Sequence, residues 1–182
     1  TGKEVTIVCD PVLLYGFPKE INSEDTACFK NNIKEKYCIV YSYDNNMNEP
    51  QTVKAISSFA KNNGLKVYSV AYFHKWCDRN IQVSPLDIFK WFVCAEMVFT
   101  DTFHGTIFSI NLRRNFVIIN RNKNKVLDVV KRFELENKYL MKFPLGANKK
   151  TNEFAINFLK KYGQKEFEKI AKKNFANYHE VL

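Results

Sequence analysis

The apolar positions of this chain come in short runs, separated by stretches where the spacing becomes helical. "VTIVCD" (5–10) and "YCIVYSYD" (37–44) are β-branched and aromatic runs, each closing on an aspartate beside turn-forming residues, which predicts two strands. In "EPQTVKAISSFAKNNG" (49–64) the period changes. Val53, Ile56, Phe59 and Ala60 fall on one helical face, and Gly64 stands where such a helix would end. "LKVYSVAYF" (65–73) predicts the next strand and "HKWCDRNIQV" (74–83) a loop. Ser84, Pro85 and Asp87 have the composition of a helix start: N-cap, first helical position and capping-box partner. They predict a helix over 85–96 that carries Leu86, Phe89, Val93 and Cys94 toward a core.

"MVFTD" (97–101) predicts a short buried strand, and "GTIFSINLRR" (105–114) a helix whose two final arginines suit the negative end of its dipole. A strand, "NFVIIN" (115–120), and a helix, "KVLDVVKRFEL" (125–135), follow. From Thr151 onward the pattern predicts two helices broken near Gly163. There Phe167, Ile170, Ala171 and Phe175 form one stripe for packing on the domain, with lysines opposite that would also suit an acidic membrane surface. Strands alternate with helices, and several strands are continuously apolar. That is the pattern of a parallel sheet covered on both faces, a doubly wound, Rossmann-like α/β fold. Without an internal repeat or a Gly/Pro/Ser-rich linker, residues 1–182 read as one domain.

Composition narrows the class. The hydrophobic content of 46% fits a globular protein, and no apolar run has the length to span a bilayer. The opening "TGKEVTIVCDP" lacks the pattern of a signal peptide. The five cysteines (Cys9, Cys28, Cys38, Cys77, Cys94) are odd in number and form no C-x-x-C pair. They argue for reduced cytoplasmic thiols and against a disulfide framework or zinc site; neither metal nor cofactor is expected. The formal charge of +9 favours anionic partners, although lysines so dispersed in a Lys- and Asn-rich chain equally fit a biased composition. No recognition helix or RNA-binding motif is present, so nucleic acid is not an expected partner. A non-catalytic anion- or nucleic-acid-binding module therefore ranks behind an enzyme.

The chemistry concentrates in "MVFTDTFHGT" (97–106), where a buried strand turns into a helix. In an open parallel sheet, ligands bind outside the carboxyl ends of the strands. The first helical turn offers unpaired N–H groups and the positive end of a dipole. Gly105 would let a ligand approach the backbone beside Phe103, Thr102 and Thr106 add hydroxyls, and His104 adds an acid–base group. The structural alternative is that Asp101 or Thr102 simply caps the helix while His104 bonds to a neighbouring loop. Asp10 and Asp44 end strands on the same edge, as cleft residues or as turn caps. His74 and His179 read as ordinary exposed residues. Tyr72, Phe73 and Trp76 read as a wall for a sugar ring or as core packing.

The succession "CDPVLL" (9–14), "SPLDIFKWFVCAEMVFTDTFHGTIFSI" (84–110) and "NFVII" (115–119) resembles the polysaccharide pyruvyl transferase family. Members show an Asp-Pro after a strand, a Ser-Pro helix, and a Ser-Phe-His-Gly or Arg-Leu-His-Gly motif. The resemblance covers most of residues 5–140. It implies a GT-B-like enzyme of two Rossmann-like domains that moves a pyruvyl group from phosphoenolpyruvate onto two sugar hydroxyls as a ketal. His104 then matches the donor-site histidine as general acid, and Lys125 stands where the family tends to have an arginine at a helix start. Thr102 departs from the branch that has arginine there. The family's glycine-rich N-terminal half is not in this sequence, so the chain looks like the C-terminal half of a longer enzyme, inactive without its N-terminal domain. The acceptor would be a sugar or lipid-linked oligosaccharide, reached from the cytoplasm or the inner face of the membrane. The runner-up is a GT-B-type glycosyltransferase donor domain using a nucleotide sugar.

Overall fold

Successive side chains of a strand point to opposite faces, and the apolar runs of this chain fill both. In the computed structural model, residues 10–120, 124–133 and 139–141 are described. The strands are β1 (Tyr37–Tyr41), β2 (Lys66–Val70), β3 (Arg79–Ile81), β4 (Met97–Thr100), β5 (Phe116–Asn120) and β6 (Tyr139–Met141). They form one sheet in the order β3-β2-β1-β4-β5-β6, and every neighbouring pair is parallel. The helices are α1 (Pro11–Tyr15), α2 (Pro18–Ile21), α3 (Glu24–Asn32), α4 (Pro50–Asn62), α5 (Ile88–Cys94), α6 (Phe103–Asn111) and α7 (Asn124–Arg132). Among the described residues no helix is long and apolar enough to cross a membrane.

Tyr37, Ile39, Tyr41, Tyr68, Val98, Phe116 and Ile118 face a core shared with α5, α6 and α7. Cys38, Val40, Val67, Phe99, Val117 and Ile119 face a second core closed by Ile56, Phe59 and Ala60 of α4. Helices thus cover both faces, the doubly wound arrangement expected from the continuous apolar strands. The end of α4 follows the sequence closely. Gly64 is in the left-handed region at φ 65°, its amide donates to the Lys61 carbonyl at 3.2 Å, and the Leu65 amide donates to that of Ala60 at 2.9 Å. That is the Schellman pair that satisfies the last carbonyls of a helix.

Other elements differ from expectation. The helix expected over 85–96 begins only at Ile88. Ser84 Oγ donates to Asp87 Oδ2 at 2.7 Å, and the Asp87 amide to the Ser84 carbonyl at 3.1 Å, so the cap-like residues close a separate turn. Leu86 sits in that turn and is 61% exposed, not in the core, where Ile88, Phe89 and Phe92 are buried instead. Val93 and Cys94 are half-buried against the same core. The helix expected over 105–114 spans 103–111, so its arginines lie beyond it. Arg114 nevertheless serves helix ends, its Nε donating to the Leu112 carbonyl at 2.9 Å and Nη1 to that of Val93 at 2.8 Å. The loop expected over 74–83 contains β3, a three-residue edge strand. The strand expected over 5–10 falls almost wholly outside the described residues, as do the tail helices, His179 and Cys9.

Candidate active site

The strand order reverses between β1 and β4. At such a point the connections leave for opposite faces of the sheet, and a crevice opens outside the carboxyl ends of the strands. Here β1 leads to α4 on one face and β4 leads to α6 on the other. The residues that end these strands therefore divide between two sides. Thr100 points toward α6, and the next residue, Asp101, points to the α4 side.

The α6 side is tightly built. Thr102 caps the helix, its Oγ1 accepting from the Gly105 amide at 2.9 Å. The Thr106 hydroxyl donates back to the Thr102 carbonyl at 3.0 Å, and Thr100 Oγ1 donates to the Tyr41 carbonyl at 2.7 Å. Thr102 and Thr106 are buried, so these hydroxyls hold the helix to the strand rather than facing the cleft. Gly105 is buried too. A Cβ at this position would press on Thr100 Oγ1 and lie 2.7 Å from Tyr41 Cδ1 and 2.8 Å from Thr102 Oγ1. The close approach it permits is between α6 and the sheet, not between backbone and ligand. His104 is exposed, with its ring 5.5 Å from that of Phe103 and 6.1 Å from that of Phe108. The cap takes the Gly105 amide and the Thr102 carbonyl takes that of Thr106 at 3.2 Å. The amides of Phe103 and His104, first in the helix, have no acceptor within the helix itself and lie at the positive end of its dipole.

The α4 side carries a buried polar network that the sequence reading did not find. Asp101 is 0% exposed and accepts from Ser42 Oγ at 2.7 Å and Asn46 Nδ2 at 2.6 Å. It ties the β4–α6 junction to the loop after β1. The Asn46 carbonyl in turn accepts from His74 Nε2 at 3.0 Å. A carbonyl can only accept, so Nε2 carries the proton and Nδ1 lies 2.9 Å from Ser69 Oγ. His74 is thus buried, not the exposed residue expected. Alternation held the clue to Asp101: if Thr100 faces one core, its neighbour must face the other.

Burial pushes the His74 pKa below its ordinary 6.5, while the Asn46 carbonyl and the charges of Asp44 and Asp101 act in the opposite direction without overcoming it. A base whose folded pKa is depressed binds fewer protons in the native state than in the unfolded one. Its contribution is complete above the ordinary value and is lost as pH falls through it toward the folded value. Thermal unfolding should therefore show a loss of stability on acidification below about pH 6.5, and His74→Gln should flatten that part of the profile. Parallel profiles for the two proteins would contradict this.

Among the other sequence candidates, Asp44 lies at this edge. Its Oδ1 accepts from the Phe73 amide at 2.7 Å, joining the loop after β1 to the loop after β2. Lys125 is exposed in the first turn of α7, which follows β5 on the same edge. Asp10 stands apart, capping α1 through the Val12 amide at 2.9 Å. The Val12 carbonyl takes Asn111 Nδ2 at 2.7 Å, which puts α1 at the opposite end of α6 from His104. Tyr72 and Trp76 are half-buried, and Phe73 is 61% exposed.

The sequence model of one protein family, Polysaccharide pyruvyl transferase, matches residues 1–124. That range includes β1 to β5, Asp101 and His104. No curated protein matches the chain.

Proposed function

This chain belongs to the polysaccharide pyruvyl transferase family, and from that premise we propose that it transfers a pyruvyl group from phosphoenolpyruvate to two hydroxyls of a sugar. The observation that carries this reading is an exposed histidine in the first turn of a helix that starts at the switch point of the sheet. Phosphoenolpyruvate brings a phosphate and a carboxylate. Helix N-terminal amides suit either anion, and Lys125 is a cation on the same edge. A further Rossmann-like domain forming the other wall of the cleft is part of the same proposal.

The step balances as follows. His104 in its protonated form delivers a proton to the donor's methylene carbon, which becomes a methyl group. The two acceptor oxygens form bonds to the adjacent carbon, whose bond to the phosphate oxygen breaks. Of the two hydroxyl protons, one returns to His104 and the other leaves with phosphate. The product is a ketal, and no oxidant or reductant is needed. Delivery of such a proton by a side chain is general acid catalysis, and histidine titrates in the range this requires.

The test uses the full-length protein. Phosphate release from phosphoenolpyruvate is measured with a panel of free and lipid-linked sugars, beside a parallel panel of nucleotide sugars without phosphoenolpyruvate. Acceptor-dependent phosphate release is the expected result. Consumption of nucleotide sugars with phosphoenolpyruvate untouched would replace this reading by glycosyl transfer.

A further inference from the structure

We infer that Tyr43 and Tyr72 form the subsite for the acceptor sugar ring, with the loops after β1 and β2 built to present them. The inference rests on the pyruvyl-transfer reading and adds to it a place for the acceptor. Tyr41, the last residue of β1, lies under the first turn of α6, where its ring meets the position of Gly105. The Tyr72 ring stands 5.3 Å from that of Tyr41, and the Tyr43 ring 5.2 Å from that of Tyr72, both edge to face. The row of ring contacts therefore runs from the buried Tyr41, beneath the helix that carries His104, out to Tyr43 at the rim.

Its outer end is set apart from the core by exposure. Tyr43 is 52% exposed and Phe73 61%, two large side chains in loops that leave the same edge of the sheet. These loops are not slack. Asp44, next to Tyr43, holds the amide of Phe73, and the buried Asp101–Asn46–His74 chain braces both loops from the α4 side. Ala71 is held at φ 68°, a left-handed conformation that disfavours any side chain. Its amide is fixed to the Ile81 carbonyl at 2.9 Å. The backbone there turns sharply just before Tyr72.

The chemistry fits a pyranose. Sugar rings offer an apolar face of C–H groups and a rim of hydroxyls, and a phenol matches both with its ring and its polar tip. A phenol hydroxyl can both donate to and accept from a sugar hydroxyl, and Tyr72 is only half-buried. A ketal requires two hydroxyls of one ring to reach a single carbon. A ring laid on Tyr43 and Tyr72 would lie at the edge of the sheet from which α6 starts.

The experiment measures steady-state phosphate release from phosphoenolpyruvate by the full-length protein, with methyl hexopyranosides of gluco, galacto and manno configuration as acceptors. Tyr43→Ala should raise the acceptor KM by roughly 3- to 10-fold. Tyr72→Phe, which keeps the ring and its packing, should raise it by roughly 2- to 10-fold. The KM for phosphoenolpyruvate should stay unchanged in both, as should both KM values in Tyr15→Ala, an exposed aromatic on α1. An unchanged acceptor KM, or an equal rise for both substrates, would overturn the subsite while leaving pyruvyl transfer intact. If phosphoenolpyruvate is not consumed at all, saturation-transfer NMR with the same glycosides separates the two readings. Contact loss in Tyr43→Ala would support the sugar site without the reaction. Contact unaffected by the variant, or seen only with nucleotide sugars, would remove the site as well.

Discussion

Replacing His104 with alanine should lower turnover in the full-length protein by a factor on the order of 10²–10⁴, the usual range for a lost acid–base group. The expectation comes from position as much as from residue type. His104 is exposed on the first turn of α6, so its removal leaves no cavity, and the hydrogen bonds of that turn are made by Thr100, Thr102 and Thr106. Circular dichroism and thermal unfolding should be nearly unaltered. His104→Gln separates two roles of the ring, since an amide can donate a hydrogen bond to a bound anion but cannot deliver a proton to carbon. That variant should keep much of the affinity for phosphoenolpyruvate and remain slow. Wild-type turnover in His104→Ala would return the histidine to an ordinary surface residue.

The largest effect on stability should come from a single methyl group. Gly105→Ala places a Cβ against Thr100 Oγ1 and the Tyr41 ring, both buried. Neither neighbour gives way freely. The Thr100 hydroxyl is committed to the Tyr41 carbonyl at 2.7 Å, and its β-branched side chain has few rotamers. The Tyr41 ring is packed against Phe92 and Phe108 at 5.3 and 6.1 Å. Overpacking of this kind costs about 1–3 kcal/mol, and loss of the Thr100 hydrogen bond adds about 1 kcal/mol. For a chain of this size the midpoint of thermal unfolding should fall by roughly 5–10 °C. Thr100→Ala removes the hydroxyl that the new Cβ meets. The double variant Thr100→Ala/Gly105→Ala should therefore be less destabilised than the sum of the two changes. Simple additivity, or a fully stable Gly105→Ala, would show that α6 can lift off the sheet without cost.

Much of this fold was legible because its strands are short and buried on both faces. β1, β2, β4 and β5 coincide with apolar runs, and α4 with a helical stripe that ends in a left-handed glycine. β3 was not legible. "RNI" at an outer edge needs no apolar run, because its residues are exposed or half-exposed. The short helices α1 to α3 were hidden for a related reason: they are anchored by caps and a few aromatic contacts, without a sustained periodic face. At the site, the motif and its edge position could be read, but its wiring could not. Thr102 and Thr106 looked like donors for a ligand and instead hold their own helix. Asp101 looked like a cap and instead bridges to Ser42 and Asn46, which lie more than fifty residues earlier in the chain. Partners at such separation leave no local spacing to detect.

The division of β4 between two faces has a consequence for how this protein tolerates change in length. Only Asp101 and Thr102 connect the last strand residue to α6. Inserting one residue between Thr100 and Asp101 would send the carboxylate to the other side of the sheet, the side of Tyr41, and away from Ser42 and Asn46. Insertions of a tag, a label or a fluorescent reporter should instead be borne by the turn at Pro85 and Leu86, both exposed. The two-residue connection at the head of α6 is a fixed length, because it sets both the side of the sheet that Asp101 faces and the start of the helix that carries His104.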